Sequence, residues 1–196
     1  MNKNSFFSVM LIMVLVFGTT VIGCDNGTTS SDTWSNITSL DQMNGTWKSS
    51  YSQNNISIKD VIEEQGGTWS PEMQAIYGDI RVTSRADITL TINASAKTRA
   101  MSMTATGSYS GGSINTIWPM LKLALANLAE EGVTVTTNDA THSISMTYSF
   151  PAETLSDAEI TEMLNSGLLI NQNGTKIKVP ANSFTEGMPE LIFYKQ

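Results

Sequence analysis

Chemistry has few places to live in this chain. Its 196 residues include one cysteine, Cys24, and one histidine, His142. Nucleophilic catalysis needs a serine or cysteine activated by a neighbouring base, and a transition-metal site needs clustered His and Cys ligands. A lone histidine supplies no cluster. No Gly-x-Ser-x-Gly is present, and Gly111-Gly112 is not followed by the Lys-Ser/Thr of a phosphate-cradling loop. The carboxylate spacing of a calcium loop is missing too. Carboxylates do gather at Glu63-Glu64 and at Asp157, Glu159 and Glu162, and acid–base work is one reading of them. A solvated helix face, or a favourable place near a helix N-terminus, explains both groups more simply. His142 reads as a histidine at a strand edge, or half-buried beside Ile144 and Met146. The chain is expected not to be an enzyme, with no cofactor and no metal.

Cys24 stands at the end of a distinctive start. Lys3 supplies a short basic region, Phe6 to Phe17 is an uncharged apolar run, and Gly18 to Gly23 is small or β-branched. This is the layout of a secretion signal over residues 1–23, and the run is too short to span a membrane. An ordinary secretory signal with a cysteine near its cut is the alternative. Against it, Cys24 has no second cysteine to pair with, and a free thiol is unusual on an exported protein. The sequence Val21-Ile22-Gly23-Cys24 resembles the lipobox of bacterial lipoproteins, departing at Val21, where leucine is commoner. The resemblance implies a signal peptide, lipid attachment at Cys24, and localisation in the bacterial cell envelope on the periplasmic or outer-surface side. One acyl chain anchors marginally, and further chains make anchorage stable.

The formal net charge is −7, or −8 without Lys3. No Lys/Arg cluster is available to release phosphate counterions, so nucleic acid is excluded as a partner. Anionic lipid would repel such a chain mildly, which leaves the acyl chains to hold the membrane. Residues 24–38 are polar and read as a flexible tether. Residues 39–196 are long enough for one domain with its own core.

Ser39-Leu40-Asp41-Gln42 is a helix-capping pattern. Asn44-Gly45-Thr46-Trp47 follows, and then Trp47, Ser49 and Tyr51 alternate with polar neighbours as in a half-buried strand. A short helical turn, Gly-x-Trp and a first strand resemble the opening of a lipocalin-type barrel. In that family the tryptophan closes one end and an arginine near the last strand covers it; here only Lys195 stands near that place. Further on, residues 57–65 and 71–77 read as short helices, the second started by Ser70-Pro71-Glu72. Val82, Ser84, Ala86, Ile88, Leu90 and Ile92 face one way on a strand, and Thr83, Arg85, Asp87, Thr89, Thr91 and Asn93 face the other. Met101, Met103 and Ala105 alternate on its antiparallel partner, with Gly107 and Gly111-Gly112 closing the pair.

Ile114 to Glu131 is the longest predicted helix, with Pro119 expected in its first turn and Met120 and Leu123 opposite its main apolar face. Strands follow at 133–137 and 142–150, the second ended by Pro151. Ser156 and Glu159 make a capping box for another helix. Asn173-Gly174 predicts a two-residue type I′ hairpin, and Leu191 to Lys195 is the last strand.

The fold expected is mainly β, a β-rich α+β chain forming an antiparallel lipocalin-like barrel of about eight strands with about three helical insertions. An α+β sheet with helices on one face is the alternative. Eight of the eleven methionines lie after Gly23. Flexible, polarisable Met101, Met103 and Met146, on apolar strand faces, suit an irregular pocket for an apolar guest, although core filling explains them as well. Trp47, Met101, Met103, Met146 and Tyr148 are therefore the candidate pocket. Two functions follow. One is a membrane-anchored domain binding a small apolar ligand; the other is a surface interaction or adhesion module with a filled core and a protein partner. A monomer is expected.

Overall fold

A computed structural model of the chain describes residues 32–64, 68–129, 133–180 and 190–196. The expected signal sequence of residues 1–23, Cys24 and the first part of the expected tether lie outside the described residues. The fold is mainly β, and its strands form one antiparallel sheet. In chain order the strands are β1 (Trp34–Asn36), β2 (Gly45–Ser57), β3 (Arg81–Asn93), β4 (Thr98–Ser110), β5 (Thr134–Asn138), β6 (Ser143–Thr154), β7 (Leu169–Asn171), β8 (Lys176–Val179) and β9 (Leu191–Lys195). A 3-10 turn covers Leu40–Met43. The helices are α1 (Ile58–Glu64), α2 (Pro71–Tyr77), α3 (Ile114–Ala129) and α4 (Asp157–Leu164).

The spatial order is β1-β7-β8-β9-β2-β3-β4-β6-β5, nine strands with β1 and β5 at the edges. The expected mainly β, antiparallel fold is present, with nine strands where about eight were expected, and the sheet is not closed into a barrel. The ninth strand comes from the presumed tether. Trp34–Asn36 pairs antiparallel with β7, Trp34 opposite Asn171 and Asn36 opposite Leu169. Three residues show no usable periodicity, so their strand state depends on a partner far along the chain.

Packing divides the chain into two compact units. One holds Ser50–Ala86 and Met103–Tyr148; the other holds residues 32–49, Asp87–Ser102 and Ser149 to the C-terminus. In the first unit, alternation along β4 buries Met103, Ala105, Gly107 and Tyr109 and exposes Thr104, Thr106, Ser108 and Ser110. The strand therefore runs through Gly107, where a stop was expected.

Helix α3 buries Ile114, Ile117, Trp118 and Leu125, while Met120 and Leu123 stay 66% and 72% exposed. Its start is fixed from outside the helix. The Asp79 Oδ2 accepts from the Ser113 N–H at 3.2 Å, and the Ser113 hydroxyl holds the Asp79 carboxyl below its ordinary range. Gly111, at φ +118°, lies so close to Asp79 that a Cβ there would stand 2.5 Å from the Asp79 carbonyl oxygen. With Ile114 as the first helical residue, Pro119 falls inside α3 and not in its first turn. Its missing N–H there removes one internal helix bond.

Local signals are clean in the second unit. Gln42 Oε1 accepts from the Ser39 N–H at 3.2 Å. At α4, Ser156 N–H reaches Glu159 Oε2 at 2.9 Å and Glu159 N–H reaches Ser156 Oγ at 3.3 Å, a reciprocal capping box. Strand β6 continues past Pro151. The β5–β6 register ends at Thr134 opposite Thr147, so this part of β6 has no β5 neighbour, and proline is tolerated where one side is unpaired.

The Asn173-Gly174 turn also differs from expectation. Of the two, only Gly174 has positive φ (65°), and its N–H bonds the Asn171 carbonyl at 2.9 Å. That is a type I turn followed by a left-handed glycine, not type I′, which needs positive φ at both central residues. Asn171 Oδ1 accepts from the N–H groups of Thr175 and Lys176, both at 2.9 Å, and this buried side chain sets the turn.

Candidate functional site

Three places in the described chain have enough structure to be weighed as sites. The first surrounds Trp47 in the second unit. Gly45 and the 3-10 turn bring the indole over Met43, whose carbonyl accepts its N–H at 2.7 Å. The ring is fully buried. Lys195 Nζ lies 5.2 Å from its centroid, within cation–π range. A lysine of the last strand, β9, thus covers the ring of the first long strand, β2. Met101 belongs to the same unit and is half-buried. The other candidate pocket residues, Met103, Met146 and Tyr148, belong to the first unit and are buried there. All the buried ones read as core.

The second place surrounds His142. Trp118 donates its indole N–H to Asp139 Oδ1 at 2.8 Å, and Lys122 Nζ reaches both Asp139 oxygens at 2.9 Å. These bonds hold the Asp139 carboxyl below its ordinary range, the Trp118 bond most and Lys122 next, with a smaller pull from His142. His142 sits in the β5–β6 turn at φ 43° with its ring edge-on to Trp118, centroids 5.2 Å apart. Tyr109 lies on another side of Trp118 at 6.2 Å, and burial pushes its phenol far up. The cluster pins α3 to the turn, and its carboxylate is engaged by the indole and the ammonium.

Of the remaining candidate carboxylates, Asp157, Glu159 and Glu63 have structural partners as well. Asp157 bonds Lys97 at 2.8 Å, Glu159 caps α4, and Glu63 pairs with Lys59 at 3.8 Å on α1. Among the described residues, no group of three or more His, Cys, Asp or Glu side chains gathers to hold a metal. No described helix is long and apolar enough to cross a membrane.

The third place is a groove of about 570 Å³ on the outward face of the first unit. Ser52 and Asn54 reach it from β2, Thr83 and Arg85 from β3, and Thr106 and Ser108 from β4. Ser143 and Ser145 of β6 and Thr136, Thr137 and Asn138 of β5 complete the polar lining, with Ser84, Gly107 and Ile144 beneath. Eleven of the fourteen lining residues carry a hydroxyl or a side-chain amide, and Arg85 is the single ionisable one. Several hydroxyls also brace the strands: Thr83 Oγ1 accepts from Asn55 N–H at 3.1 Å, and Thr136 Oγ1 donates to the Ser145 carbonyl at 3.4 Å. Asn138 Oδ1 accepts from Ala140 and Thr141 N–H at 3.0 and 3.3 Å.

None of the five candidate pocket residues lines this groove. The signal for it was present in the sequence as the outward strand positions, where Ser, Thr and Asn stand in place of the usual Lys and Glu. Comparison with known proteins gives no further guide: no family model, no curated protein and no solved structure matches the chain.

Proposed function

We propose that the chain is a lipoprotein of the bacterial cell envelope, acylated at Cys24, whose β-rich domain binds a ligand on its surface and catalyses no reaction. The observation that carries the binding half is the groove: a concavity of about 570 Å³ in the size range of ligand sites. Its lining is almost free of charge on a strongly acidic chain. The anchor rests on the lipobox-like sequence and on the lone cysteine. Of the two sequence expectations, the geometry favours the surface module over the apolar carrier, since Trp47, Met103, Met146 and Tyr148 are buried and the groove is polar. The lipocalin likeness is proposed for the Trp47 end alone. The turn, Gly45-Thr46-Trp47 and Lys195 support it there, while β1 and β5 stand at the edges of a sheet that is not closed.

Mass spectrometry of the membrane-extracted protein tests the anchor: the mature chain should begin at an acylated Cys24, and Cys24→Ala should move to the soluble fraction. An unmodified Cys24 on the mature form would sink the lipoprotein reading. For the binding half, purified Cys24→Ala protein should be retained on isolated envelope material, and Thr106→Lys, which fills the groove from an exposed position, should abolish retention. Equal retention of both forms would remove the groove as the site.

A further inference from the structure

We infer that the groove takes a neutral glycan, an oligosaccharide laid across the strands; this deepens the surface-binding reading above and rests on it. Outward faces of antiparallel sheets are normally polar, but ordinary solvated faces mix lysine with acids at about a quarter to a third of positions. Among the fourteen residues here there is no Lys, Asp or Glu, although the chain carries 18 acidic residues. A face so depleted of charge, and concave, is built for a partner with little charge of its own.

The donors and acceptors narrow the partner. Each serine or threonine hydroxyl both donates and accepts, and an asparagine amide does the same through its two ends. Such groups complement the hydroxyls of a saccharide in either sense. They are spread over five adjacent strands, β2-β3-β4-β6-β5. Neighbouring strands lie about 4.8 Å apart, a step comparable with the length of one pyranose unit, so a linked chain of sugars meets a fresh row of hydroxyls at each ring. Other ligands fit worse. A polyanion would meet one guanidinium, Arg85, on a chain of net charge −7. An extended peptide would find a single apolar side chain, Ile144, and that one is 2% exposed. With no aromatic ring in the lining, affinity comes from hydrogen bonds alone and is modest.

The test uses the full mature chain carrying Cys24→Ala, so that the outcome does not depend on the anchor. Its amide spectrum is titrated with cellotetraose, chitotetraose, maltotetraose and mannotetraose. At least one of them should shift the signals of Ser52, Thr83, Thr106, Thr136 and Ser143. The affinity should stay within about twofold on adding salt, since a neutral sugar brings no charge to be screened. Ser108→Ala should weaken binding about two- to tenfold, the loss of one hydrogen bond. Thr106→Lys should eliminate it with the fold intact by circular dichroism. Silence from all four sugars overturns the assignment. So does a response at these amides only to an acidic heparin tetrasaccharide or to an extended Ser/Gly peptide, which would keep the groove as a site with a different ligand. Shifts confined to residues outside the groove overturn both the ligand and the site.

Discussion

Trp47 and Trp118 are 0% and 4% exposed, and each indole N–H has a partner at hydrogen-bond distance. The partners differ in kind. Trp47 gives its proton to a backbone carbonyl, Met43 O, and the nearby charge is Lys195 above the ring. Trp118 gives its proton to a carboxylate, Asp139, which also holds Lys122, while His142 meets the ring edge-on. The first arrangement ties the indole to the backbone. The second is wired to ionisable groups, and it secures a turn whose flanking residues, Asn138 and Ser143, line the groove. A buried tryptophan can therefore be a plain structural plug in one unit and a brace for the edge of the groove in the other.

The comparison breaks most visibly at Trp47. Trp47→Ala removes a fully buried ring, and should cost about 3–5 kcal/mol in urea unfolding. The groove should keep its ligand affinity as long as the domain is folded. If the variant is as stable as the wild type, Trp47 is not the plug described. On the other side, Gly111→Ala should cost about 1–3 kcal/mol from backbone strain, because its φ of +118° and the 2.5 Å approach to Asp79 leave no room for a Cβ. It shifts the start of α3, so the Trp118–Asp139 contact should loosen and the fluorescence of Trp118 should change. An unaltered emission spectrum would show that Gly111 does not place the helix.

How much of this was legible in the sequence follows from how local each cause is. The two capping patterns, Ser39 with Gln42 and Ser156 with Glu159, were readable because all their atoms lie within four residues. Alternation in β3, β4 and β6 was readable for the same reason. Strand β1, the run of β4 through Gly107 and of β6 through Pro151, and the place of β9 between β8 and β2 depend on partners far along the chain. The place of Pro119 within α3 is not legible locally, because the start of α3 is set by Asp79, 34 residues before Ser113 in sequence. The groove went unread since a row of outward Ser and Thr looks like solvated surface until neighbouring strands place the rows side by side. Lys195 over Trp47 lay between the two cases: its type and position were suggestive, and the contact needed the β2–β9 pairing, where Trp47 faces Lys195 in register.

That contact yields a smaller effect. Lys195→Ala should cost about 0.5–1 kcal/mol, the range of an exposed cation–π pair, and Lys195→Arg should restore it, since a guanidinium stacks on the same face. The Trp118 side should be indifferent to both. A loss that arginine fails to rescue would mean that the aliphatic stem packing near Gly45, and not the charge, is what matters.

The smallest effect at neutral pH is the one that most sharpens the contrast. Asp139 is exposed, and Asp139→Asn should change stability little at pH 7, as for most surface ion pairs. The pH dependence should show that small gap closing. In the folded chain the Trp118 bond first, and Lys122 second, hold Asp139 below its ordinary value of 3.8. The unfolded chain therefore binds the proton more readily than the folded one, and Asp139 contributes stability that is complete above that value and lost as pH falls through the lowered one. Unfolding measured from pH 7 down to acid should show wild type and Asp139→Asn converging as Asp139 protonates. Other lowered carboxylates, such as Asp79 and Asp157, act alike in both proteins and cancel in the difference. Groove affinity should follow the same curve, since the turn between Asn138 and Ser143 is held by this carboxylate. A gap that stays constant to the lowest pH would mean that Asp139 acts through shape alone, and the two tryptophans would then differ in partner but not in kind.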